Sequence, residues 1–144
     1  MGEIIGAAIA IAALAFTMLS GLGVATAYSA RADISTIATQ AEKDMAVQGG
    51  YTSGVQAALI AALAARGFTA EPTIQVSPEG PDYYGQTFTI TLYYPLTVGL
   101  GGAKVPAPLE VSVPGVSTYP CTAAEAQAGA CTAPATITPS TGSP

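Results

Sequence analysis

A chain of 144 residues leaves room for one long helix and one compact domain of ordinary size. Half the residues are hydrophobic and only 9% are charged, against about a quarter in a typical soluble protein; that balance risks association in a soluble monomer and suits a chain whose surface is mostly subunit contact. With net charge −5 and Arg31, Lys43, Arg66 and Lys104 as its whole set of cations, the chain has no basic footprint for nucleic acid, and the lack of His and Asn removes the commonest proton shuttle and any N-glycosylation sequon.

The first stretch organises the rest. Residues 4–28 carry no charge, and as a helix they would exceed the roughly 30 Å of a bilayer's hydrocarbon core. A polar but still helical pattern continues to Gln48, giving a rod of about 65–70 Å. A domain of this size cannot bury both ends of such a rod, so part of it must lie in lipid or against other chains. Three readings compete: a cleaved signal peptide, a permanent membrane anchor, and a helix that moves from membrane into a polymer. Ala25-Thr26-Ala27 and Tyr28-Ser29-Ala30 look like small-residue cleavage sites. Against the signal peptide, the only early charge is Glu3 rather than a basic residue, and the apolar run exceeds an ordinary h-region. Gly6, Ala10 and Ala13 set small residues at helical spacing, which lets like helices approach closely. Gly21 and Gly23 act either as further packing points or as a kink, since each costs about 1 kcal/mol relative to Ala in a helix interior.

Beyond Tyr28, Ile34, Ile37, Ala38, Ala41 and Met45 keep an apolar stripe among charged neighbours. Gly49 and Gly50 end the helix. A second helix starts at Thr52 or Ser53, either of which can cap it, and stops at Gly67. It would lie against the polar half of the first. From Phe68 on the pattern is β. Residues 73–77 alternate between Pro72 and Pro78, and residues 79–82 make a turn. Residues 86–94 are the clearest strand, with Phe88, Ile90, Leu92 and Tyr94 on one face and threonines and Tyr93 on the other. Residues 99–102 read as a turn and 107–113 as another strand. The expected fold is α+β: a long N-terminal apolar helix, a short second helix and a small antiparallel sheet whose apolar face packs on the helices. The organisation is residues 1–48 as the helix, 49–113 as the helix-plus-sheet head, and 114–144 as a loop closed by a disulfide and a Ser/Thr/Pro-rich tail.

Chemistry is sparse. Cys121 and Cys131 have no His to complete a metal site or a nucleophile pair. In an exported chain they read as a disulfide, with two free thiols the alternative. Glu79 and Asp82 share a turn, but two carboxylates fall short of the six or more oxygens that calcium wants, and a solvated turn accounts for them. Neither glycine cluster has the Lys-Ser/Thr ending of a phosphate loop. The seven tyrosines suit packing and interfaces with satisfied hydroxyls. Catalytic, cofactor and metal residues are therefore all expected to be absent.

A lone early glutamate in an otherwise apolar helix, continuing amphipathically into a small sheet-containing head, resembles the mature form of a type IV pilin. The weakly charged Ser/Thr/Pro-rich head is similar to those of archaeal and tight-adherence pilins. The resemblance covers about residues 1–50. It implies a subunit of an extracellular cell-surface filament, not an enzyme. Its partners would be copies of itself, the inner or cytoplasmic membrane before assembly, and the pilus assembly machinery. It also implies that Glu3 pairs with the N-terminal amine of a neighbouring subunit, that of Met1 or of whichever residue is first after processing. The remaining expectations, from other functional classes, are a membrane-anchored monomeric accessory protein and a secreted adhesin or binding module.

Overall fold

The computed structural model describes residues 2–78, 83–100 and 103–131. Helix α1, Gly2–Gln48, is unbroken for 47 residues. Gly21 and Gly23 are spanned without interruption of the helix. The helix ends because Gly49 takes φ +75°, and the Gly49 and Gly50 amides both donate to the Met45 carbonyl at 2.9 and 3.2 Å. No side chain fits at Gly49, since a Cβ would stand 2.6 Å from Cγ of Tyr119.

Helix α2, Ser53–Ala65, begins where Thr52 caps it, its Oγ accepting from the Val55 amide at 3.3 Å. Val55, Leu59 and Leu63 form its buried stripe, facing the Ile34, Ile37, Ala38, Ala41 and Met45 stripe of α1. Gly67, at φ +83°, lets the chain reverse into the sheet.

Strands β1 (Thr73–Ser77), β2 (Thr87–Tyr94) and β5 (Leu109–Val116) form an antiparallel sheet in the order β1-β2-β5. On the central strand β2, Phe88, Ile90, Leu92 and Tyr94 are all buried against the helices, as the alternation requires. Tyr94 is fixed twice, by an edge contact with Phe68 at 5.1 Å and by its hydroxyl accepting from the Ala70 amide at 2.9 Å.

Three parts differ from the sequence reading. Residues 99 and 100, read as part of a turn, belong to a separate ribbon, β3 (Thr97–Leu100) paired antiparallel with β4 (Ala103–Pro106), and residues 101–102 of that turn reading lie outside the described residues. The last strand runs on through Pro114 to Val116 rather than ending at 113. Proline is tolerated there because β5 is an edge of its sheet and needs no outward amide. A one-turn helix α3 (Ala123–Gln127) then occupies what was expected to be loop. It is held by a capping box between Thr122 and Glu125, whose carboxyl is held below its usual range by the Thr122 amide and hydroxyl.

Candidate functional site

The core reaches only the C-terminal part of α1. From Ala30 to Ala46 a stripe of that helix is buried under α2 and the sheet. Below it the large apolar side chains face outward: Ile9 64% exposed, Leu14 59%, Met18 67% and Tyr28 74%. Helix α1 is long and apolar enough to cross a membrane, and only 7% of its most apolar window is covered by the rest of the chain. A bare apolar surface of this extent marks a site for lipid or protein contact.

Three aliphatic hydroxyls on this part of the helix bond to its own backbone. Thr17 donates to the Leu14 carbonyl at 2.9 Å, Thr26 to the Gly23 carbonyl at 2.8 Å and Ser29 to the Thr26 carbonyl at 3.0 Å. Such back-bonding is how a helix carries Ser and Thr into a dry environment. The sequence-derived assembly residues all belong to this region. Gly6, Ala10 and Ala13 lie exposed on one face, and a Cβ at Gly6 or Gly21 would meet nothing within 4 Å. Gly23 is covered. Glu3 lies within α1, its side chain outside the described residues, as is Met1.

The boundary between the bare and buried parts is polar. Arg31 opens it, and Asp33 accepts an ion pair from Arg66 at the end of α2, both side chains partly exposed. On the far side of the head, Cys121 and Cys131 lie at disulfide distance, with Cα atoms 6.0 Å apart. The segment bearing them is tied back by Tyr84 to the Cys121 carbonyl (2.8 Å), Gly85 to Ser117 (2.9 Å) and Thr118 to Ala46 (2.9 Å), each through its amide. Among the described residues no three His, Cys, Asp or Glu side chains cluster as metal ligands. Glu79 and Asp82 lie outside those residues.

Sequence reasoning missed one feature: an open cleft of about 640 Å³ where α1 meets one end of the sheet. Glu42 of α1, Phe88 of β2, Gly115 of β5 and Pro78 line it. A Cβ at Gly115 would fall 2.5 Å from Oε1 of Glu42 and 2.6 Å from Cζ of Phe88, so only glycine admits both side chains. No sequence signal joins these positions, because three separate elements supply them.

Compared with protein-family models, characterised proteins and solved structures, the chain matches none.

Proposed function

We propose that the chain is the structural subunit of an extracellular, type IV pilus-like filament, held in the membrane by α1 before assembly and polymerising through that helix. The observation that carries this reading is the bare apolar half of α1 on a head whose own core is complete. The head has buried its sheet and its helix stripe, and the large apolar side chains Ile9, Leu14, Met18 and Tyr28 below Ala30 stay exposed. Those residues must find lipid or other copies. The small residues Gly6, Ala10 and Ala13 favour close packing of like helices, and the internally satisfied hydroxyls suit both the lipid and a dry filament core. Glu3, carried into such a core, would need a counterion, because an unpaired buried charge costs several kcal/mol. An N-terminal amine of the neighbouring copy is the nearest one, since no Lys or Arg precedes Arg31. No catalytic step is assigned.

The test is electron microscopy of the purified full chain after detergent removal, with sheared cell-surface material as the second sample. Filaments of uniform width built from this chain support the reading. A chain that stays monomeric in bilayers at every concentration refutes it in favour of a simple membrane anchor.

A further inference from the structure

The geometry points to a head-to-tail contact between copies of this chain, in which the β3–β4 ribbon of one copy seats Lys104 in the Glu42 cleft of the next. This inference rests on the filament reading and specifies a second contact for it, outside the apolar helix.

The cleft is built for a cation with an apolar stem. Its walls are Phe88, Pro78, Pro114 and Val116, and its one charge is the Glu42 carboxylate. Glu42 is half-buried, and no hydrogen bond or ion pair reaches it among the described residues. A lysine side chain matches this arrangement, laying its methylenes along apolar walls and its ammonium at the carboxylate. The volume, about 640 Å³, admits such a side chain together with a neighbouring residue.

The chain has four cations, and three are placed elsewhere. Arg66 is paired with Asp33. Arg31 and Lys43 are fixed on α1 itself. Lys104 stands alone on β4, whose four residues are all exposed, so both faces of that strand are open. Val105 beside it is 40% exposed. A two-stranded ribbon is marginal in water without packing, and this one is held to the body on one side only, through Val98 of β3 against α1. Val105 is paired with Val98 and shares its face, so the opposite, unpartnered face is the one that carries Lys104.

Position decides who the partner is. The cleft lies at the Thr87 and Val116 end of the sheet, and the ribbon leaves from the Tyr94 and Leu109 end. About 23 Å of strand separates the two ends, so ribbon and cleft cannot meet within one chain. Two complementary patches on opposite ends of one molecule make a heterologous contact, and such contacts propagate into open helical arrays when they do not close a ring.

The experiment is a charge exchange in the full-length chain, reading the concentration of unpolymerised subunit left after ultracentrifugation. Lys104→Glu and Glu42→Lys should each raise that concentration about tenfold, and the double variant Glu42→Lys/Lys104→Glu should return to within about threefold of wild type. Lys104 is exposed, so its variant should fold even if Glu42→Lys disturbs the floor beside Gly115. Circular dichroism of each variant checks that directly. If Lys104→Glu polymerises like wild type, or the double variant is no better than the worse single one, the contact is overturned while the filament reading stands. If the wild-type chain itself never polymerises, both fall.

Discussion

The two halves of α1 have the same backbone and opposite dependencies. From Ala30 to Ala46 the helix is a core element: Ile34, Ala38 and Met45 are fully buried, and α2 and the sheet supply every neighbour they need. From Gly6 to Met18 every residue is exposed, and of the most apolar window only 7% is covered by the rest of the chain. Helix propensity therefore explains neither half. The upper half is stable because it is packed, and the lower half depends on what surrounds the molecule. One continuous helix thus couples a self-sufficient head to a segment whose stability comes from outside.

The strongest way to break that comparison is a charge in the lower half. Ala10→Asp places an unpaired carboxylate in an environment proposed to be dry, at a cost of several kcal/mol. Polymer yield should collapse, while the thermal midpoint of the head stays at its wild-type value. A variant that assembles normally would show that residues 6–28 are not the packing surface.

A matched pair of truncations sharpens it. Ile34→Ala removes a side chain with no exposed surface and should destabilise the head by about 2–5 kcal/mol. Ile9→Ala, at 64% exposure, should leave head stability within about 0.5 kcal/mol. Urea unfolding monitored on the sheet reads both. Equal losses would mean that the two halves are one cooperative unit.

The sequence made this division legible because it is written in periodicity. The stripe at Ile34, Ile37, Ala41 and Met45, the Gly49–Gly50 stop, the Thr52 cap and the alternation of β2 all occupy local windows, and all reappear in the structure. The β3–β4 ribbon escaped because its strands are four residues each and glycine-rich around the turn. The extension of β5 escaped because Pro114 and Gly115 look like a strand end, and only the edge position and the crowding of Glu42 and Phe88 explain them. The cleft was illegible for the same reason: its residues run from 42 to 116, and nothing local relates them.

A third prediction concerns the joint between α1 and α2. Tyr51 is 3% exposed, its hydroxyl has no hydrogen-bond partner among the described residues, and burial pushes its pKa up to about 12. An unfolded tyrosine titrates near 10. Below about pH 10 both states keep the proton and stability is complete. As the pH rises toward 12 the unfolded chain releases a proton that the folded chain retains, so head stability should fall by about 2–3 kcal/mol. Tyr51→Phe should abolish that part of the alkaline loss and, by removing an unpartnered hydroxyl, cost little at neutral pH. Unfolding midpoints of the two proteins across this range give the difference. An identical pH dependence would mean that the hydroxyl is solvated.

The smallest effect is expected at the boundary itself. Asp33 and Arg66 join α1 to the end of α2 one turn above the bare segment, which makes them an obvious candidate for the clasp that separates the halves. Their exposure argues otherwise: the side chains keep 50% and 38% of their accessible surface for Arg66 and Asp33. Water and salt screen such a pair, and ordering two flexible side chains offsets much of the remaining attraction. Arg66→Ala should thus cost under about 1 kcal/mol of head stability, with the difference from wild type shrinking further in about 1 M salt. What holds the upper half in place is instead the apolar contact of Ile34 and Met45 with Leu59 and Leu63, which salt does not weaken. A loss above about 2 kcal/mol in Arg66→Ala, erased by salt, would move the boundary from packing to charge.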